Sequence, residues 1–292
     1  MVYDIRTDLA KEAVEVWEQG EQAEKLRGVE ISSGQVGGLQ REVIDILSDE
    51  GERSLGKPRG RYVTWSLDVM DRREEEAFTR SVEALAGELR SLLELKEDEG
   101  VLVAALGNAD ITPDALGTLA AESVLVTKHL KEQLPGEFRF FRSVSVLRSG
   151  VLGTTGLESA ELIRAAARLS GCSRVIAVDA LCARSTDRLC RTVQLTDAGI
   201  VPGSGVGNAR AALSAETVGC PVVAVGVPTV VDAATLCADL TGRAPAGGGQ
   251  PLFVTPRNID SRVRAAARLI GYAIDLALHP GMTVGDVDTM IG

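Results

Sequence analysis

The chain has 292 residues, with 31 Lys and Arg against 41 Asp and Glu and a formal net charge of −10. Apolar residues at 45% and charged residues at 25% make a globular composition and exclude disordered and collagen-like chains. The negative balance argues against a broad basic face for nucleic acid. No run reaches the roughly 18 apolar residues of a membrane span, and the opening MVYDIRTDLAKE has no signal-peptide core. The acid excess is uneven. Residues 1–100 hold 14 Lys and Arg against 24 Asp and Glu, whereas residues 101–292 hold 17 of each.

In chain order, residues 8–26 read as a charged helix with a thin apolar face. Residues 28–55 are rich in Gly and Ser and are expected to hold a short helical stretch near Arg41–Leu47. Tyr62–Leu67 reads as a strand behind the turn Gly56-Lys57-Pro58-Arg59-Gly60. Phe78, Val82, Leu85, Leu89 and Leu92 fall on one face of a long helix from about Asp71 to Lys96, and the charge run Arg72–Glu76 reads as solvated surface. From residue 100, apolar runs alternate with helical patterns. Strands are expected at Val101–Leu106, Arg174–Val178, Thr192–Leu195 and Val222–Val227, and helices at Pro113–Leu130, Glu158–Leu169 and Ser261–His279. Gly247-Gly248-Gly249 reads as a mobile loop. This alternation predicts an α/β fold, a mostly parallel (mixed) sheet with helices on both faces. Five cysteines without a CxxC pair point to reduced thiols rather than a disulfide framework or a zinc ribbon.

In such a sheet, chemistry gathers at the carboxyl ends of the strands. Asp114 follows the run Val101–Leu106, and Asp179 ends Arg174–Val178. Each has a structural reading as well. Thr112-Pro113-Asp114 looks like a helix start, and Asp179 fits a cap. Together they are expected on one rim, where two close carboxylates hold a proton between them and can hydrolyse a peptide through water. Competing chemistries find less support. His129 and His279 are the only histidines, with no HExxH and no GxSxG; His129 reads as a partner of a helix C-terminus. Cys182 lies near the rim without a base. The run Gly203-Ser204-Gly205-Val206-Gly207-Asn208 lacks the P-loop lysine; its backbone N–H groups are candidate donors to a substrate carboxylate or an oxyanion. It also fits a tight turn before a helix near Asn208–Leu213.

These motifs, in this order, resemble the germination protease family of spore-forming bacteria. The resemblance is carried by Arg6-Thr7-Asp8-Leu9-Ala10-Lys11-Glu12, Gly56-Lys57-Pro58, Thr112-Pro113-Asp114-Ala115-Leu116-Gly117 and Gly150-Val151-Leu152-Gly153-Thr154-Thr155-Gly156. Val178-Asp179-Ala180-Leu181, Pro202-Gly203-Ser204-Gly205-Val206-Gly207-Asn208 and Gly226-Val227-Pro228-Thr229-Val230-Val231-Asp232-Ala233 continue it. It implies a fold like that of hydrogenase-maturation peptidases and phosphorylases, with Asp114 and Asp179 as the catalytic pair and no cofactor. It also implies small acid-soluble spore proteins as substrate, no nucleic-acid or membrane partner, a homotetramer, and a place in the cytoplasm of the forespore and spore core. Family members are made as zymogens. Their substrates are cut after the first acid of a sequence like Thr-Glu-(Phe/Ile)-Ala-Ser-Glu, and Thr7-Asp8-Leu9-Ala10-Lys11-Glu12 is similar to it. Residues 1–8 are therefore expected to be a propeptide cut between Asp8 and Leu9, and 9–292 a single peptidase domain with an acidic part (9–100) and a catalytic core (101–292). The chain departs from the family in Ser149 for Pro, Leu152 for Met, Ala109-Asp110 for Trp-Asn, and a shorter C-terminal region. The alternatives are a maturation-type peptidase that cuts one partner protein around a bound metal, and a non-catalytic peptide-binding homologue.

Overall fold

A computed structural model describes residues 6–20, 26–72, 74, 76–242 and 251–291. Among these, nine strands form one sheet: β1 (Val29–Val36), β2 (Leu39–Ile46), β3 (Gly60–Ser66), β4 (Val101–Leu106), β5 (Val144–Gly150), β6 (Arg174–Ala183), β7 (Thr192–Thr196), β8 (Val222–Asp232) and β9 (Phe253–Val254). The order is β1-β2-β3-β7-β8-β6-β4-β5, with β9 on the far end of β8. The quartet β5-β4-β6-β8 is parallel, while β1, β2, β3 and β7 join antiparallel. The fold is α/β with a mixed sheet.

All six residues of β4 are buried, as a strand covered on both faces requires. Side chains alternate between the two sides. Val101, Val103, Ile176, Val178, Val223 and Val225 share one core cluster with the helices Ala77–Leu93 and Ile259–Leu278. Leu102, Ala104, Val175, Ala177 and Val222 share the other with the helix Ser159–Ser170. Val82, Leu85 and Leu89 are buried, as their spacing predicts.

Several expectations are corrected. Residues 28–55 hold a hairpin rather than a helix at Arg41–Leu47; Val36 pairs with Leu39 across Gly37-Gly38, both at positive φ. That two-glycine turn matches the right-handed twist of the strands. A short helix, Asp49–Leu55, follows. The long helix begins at Ala77, after Glu76 in the left-handed region. The charge run before it is knitted rather than merely solvated, because Glu74 pairs with both Arg72 and Arg80. The expected helix Pro113–Leu130 is broken into the turns Thr112–Asp114 and Ala121–Ser123 around Leu116–Ala120, with Lys128–Gln133 separate. His129 thus lies at the start of a helix, exposed, and not at a C-terminus. Residues 208–213 are not helical; Leu213 bridges Ile200 instead. The triple glycine 247–249 lies outside the described residues.

Candidate active site

Strands β6 and β8 outrun β4. The β4–β6 pairing stops at Ala105 opposite Val178, and the next residue, Asp179, pairs with Gly226 of β8. Asp179 is therefore interior to β6, not its last residue as the sequence suggests, yet it stands on the rim that β4 leaves. Asp114 reaches the same rim by a loop that folds back on itself. Gly107 has φ +93°, and a Cβ there would lie 1.9 Å from the Asp114 carbonyl oxygen, so only glycine closes this loop. The closure sets the Asn108 N–H 2.8 Å from Asp114 Oδ2. Asp114 is not a helix cap, and Thr112 donates its hydroxyl to Asp260 at 2.9 Å instead of capping.

Burial first, and the charge of Asp114 second, hold the Asp179 carboxyl well above the usual carboxylate range, against the Ala180 N–H that donates to it at 2.9 Å. Burial also raises Asp114, opposed by the Asn108 N–H. Asp110 is exposed, its own N–H turned onto Asn108 Oδ1. Both shifts run toward holding a proton on the pair, the direction needed for one carboxyl to act as acid and the other as base.

Both line a cleft of about 500 Å³, together with Asp8, Cys182 and Gly203. Asp8 also lines a second cleft, of about 650 Å³, beside Lys57, Gln194 and Ser204. The chain from Thr7 to Ala10 crosses between them like a bound peptide. The Asp8 N–H donates to the Cys182 carbonyl at 2.9 Å. Gln194 grips the backbone on both sides of Leu9: its Nε2 donates to the Asp8 carbonyl at 3.2 Å, and its Oε1 accepts the Ala10 N–H at 2.7 Å. Lys57 Nζ donates to the Thr7 carbonyl at 2.9 Å. The Asp8 carboxylate accepts the Cys182 N–H at 2.8 Å and the Ser204 hydroxyl at 2.6 Å. Leu9 is fully buried among Leu181, Leu189 and Val231. Glu12, also fully buried, accepts the N–H groups of Arg184 (2.6 Å) and Ser185 (3.0 Å), faces the Arg188 guanidinium at 3.1 Å, and takes the Thr7 hydroxyl.

The glycine run therefore meets the N-terminal segment differently from expectation. The amides of Ser204, Val206, Gly207 and Asn208 donate to carbonyls of the turn itself, and it is the Ser204 side chain that reaches Asp8. Burial, followed by the charge of Asp8, pushes the Cys182 thiol up to about 12, so no thiolate is at hand. Burial pulls the Lys57 ammonium below its ordinary value, while Asp8 and Glu12 act the other way. Gln194 and Lys57 escape the sequence reading, although each left a signal: Gln194 is the lone amide inside the strand run Thr192–Leu195, and Lys57 stands in Gly56-Lys57-Pro58. Among the described residues no group of three or more His, Cys, Asp or Glu could hold a metal ion, and no helix is long and apolar enough to cross a membrane.

Compared with known proteins, residues 6–242 match the sequence profile of the germination proteases. The chain belongs to the germination protease family. It is a protease, a hydrolase of peptide bonds. The germination protease of Caldanaerobacter subterraneus is 36% identical across 100% of this chain and 99% of its own length. That of Clostridium tetani is 33% identical across 98% and 99%. That of Bacillus velezensis is 42% identical across 80% of this chain and 65% of its own length. Among solved structures, a nickel–iron hydrogenase maturation protease from Thermococcus kodakarensis is similar at 20% identity and a TM-score of 0.37, covering 64% of this chain and 98% of its own. That likeness is too distant to carry residue roles across.

Proposed function

We propose that this protease is an endopeptidase that degrades small acid-soluble spore proteins during germination, working in the spore core as a homotetramer. It is made as a zymogen and cuts itself between Asp8 and Leu9. One observation carries the reading: Asp8 lines the cleft of Asp114 and Asp179, and its charge is among those that raise Asp179. Asp114, the less buried of the pair and backed by the Asn108 N–H, takes a proton from water as the water attacks the Asp8 carbonyl carbon. Asp179 gives its proton to the Leu9 nitrogen as the peptide bond breaks. The carbonyl oxygen gathers negative charge within reach of Gln194 Nε2. The proton on Asp114 then returns to the pair.

The test is incubation of the protein with a small acid-soluble spore protein and mass spectrometry of the products. Asp114→Asn and Asp179→Asn are each expected to abolish cutting while the circular dichroism spectrum stays unchanged. Turnover near the wild-type rate in either variant removes that residue from the mechanism.

A further inference from the structure

The Asp8 side chain is held by a built socket. The β6 ladder shifts register between Leu181 and Cys182, where the Cys182 N–H points at Asp8 Oδ2. Ser204, otherwise exposed, aims its hydroxyl at Oδ1. Gly205 closes the remaining side: a Cβ there would lie 2.3 Å from Asp8 Oδ2 and 2.4 Å from the Cys182 Cβ. Lys57, on the neighbouring carbonyl, adds attraction for negative charge. Both bonds are charge-assisted when a carboxylate accepts them, and with the Lys57 ammonium close by the socket favours a carboxylate over a neutral amide, which would keep the same two partners without the charge. Gln194, by contrast, touches only backbone atoms around Leu9 and is blind to sequence.

We infer that the Cys182 N–H, the Ser204 hydroxyl and the bare Gly205 form the subsite that reads an Asp or Glu side chain immediately before the cut bond in a substrate peptide, and that Asp8 fills this subsite in cis until residues 1–8 leave. The inference rests on the proposed cut between Asp8 and Leu9. It gives the N-terminal segment the role of an internal ligand competing with acidic peptides, and it makes Ser204 a specificity determinant.

The test uses two peptides spanning residues 3–14, one native and one with Asn in place of the acid at position 8, offered to matured wild-type protein and to Ser204→Ala. The wild type is expected to cut the acidic peptide with a kcat/KM about tenfold or more above the Asn peptide. Ser204→Ala is expected to shrink that ratio severalfold, because KM rises more on the acidic peptide, which loses a charge-assisted bond, than on the Asn peptide. Equal ratios in the two proteins overturn the inference. If the wild type cuts neither peptide, the proposed function has failed, and the socket is judged on the uncut full chain by trypsin cleavage after Arg6. Faster release in both Ser204→Ala and Asp8→Asn supports a carboxylate socket, and unchanged rates overturn it.

Discussion

Asp275→Asn probes a fully buried carboxyl. Asp275 is 0% exposed on the helix Ile259–Leu278; its Oδ1 accepts the Leu125 N–H at 2.9 Å, and its Oδ2 has no partner. Burial pushes its pKa up to about 8. A carboxyl whose folded pKa lies above its unfolded value binds its proton more tightly in the native state. Its stabilising contribution is complete below the unfolded pKa and is lost as pH rises through the folded one. The slope is about 1.4 kcal/mol per pH unit between the two values. One turn on, burial lowers His279 to about 4, with Arg142 and Lys131 adding to the effect. A histidine buried neutral works in the opposite direction, adding stability as pH rises from about 4 to about 6.5. The two slopes offset each other in that range, and only the Asp275 slope remains above it. Between about pH 6.5 and pH 8 the wild type should therefore lose roughly 1.5–2 kcal/mol relative to Asp275→Asn. Asparagine keeps the acceptor for Leu125, so any fixed packing cost appears as a constant offset. Urea unfolding of both proteins at half-unit pH steps measures the difference. A gap that stays constant across the window would refute the buried-proton reasoning.

Three other outcomes are expected. Glu12→Ala leaves two partly buried N–H groups and the Arg188 guanidinium without their acceptor, and should cost on the order of 3–5 kcal/mol in urea unfolding, with Glu12→Gln costing less. Gly107→Ala forces a Cβ against the Asp114 carbonyl at a positive φ; it should destabilise by about 2 kcal/mol or more and suppress activity beyond that loss, read from Tm alongside single-substrate kinetics. Gln194→Leu removes the donor to the Asp8 carbonyl and should slow the appearance of a Leu9 N-terminus about a hundredfold, followed by N-terminal sequencing.

The aliphatic core strands were legible because burial on both faces leaves an unbroken apolar run, as in Val101–Leu106. So was the face of the helix Ala77–Leu93, whose spacing has a single period. The hairpin at Val29–Ile46 was not, because Leu39, Val43 and Ile46 also satisfy a helical spacing; the decisive sign was the short Gly37-Gly38 turn. Both aspartates were legible as rim residues, but the extension of β6 past Asp179 depends on pairing with β8, which no local pattern announces. Gln194 and Lys57 act only through contacts with residues 7–10, separated by 184 residues for the Gln194–Ala10 bond and 50 for the Lys57–Thr7 bond. Such contacts exist only once the sheet has closed.

The same separation orders events during synthesis. Asp8 leaves the ribosome well before its partners Cys182 and Ser204, which follow 174 and 196 positions later. The hairpin β1–β2 and strand β3 can pair locally in the meantime, but β3 lacks its other neighbour until β7 is made. The nascent chain thus carries an open sheet edge and an undocked Asp8 segment until β7, Cys182 and Ser204 have been made. Asp179 emerges just before Cys182, so the rim carboxylates and the residues that hold the N-terminal segment are completed within a few dozen residues of each other.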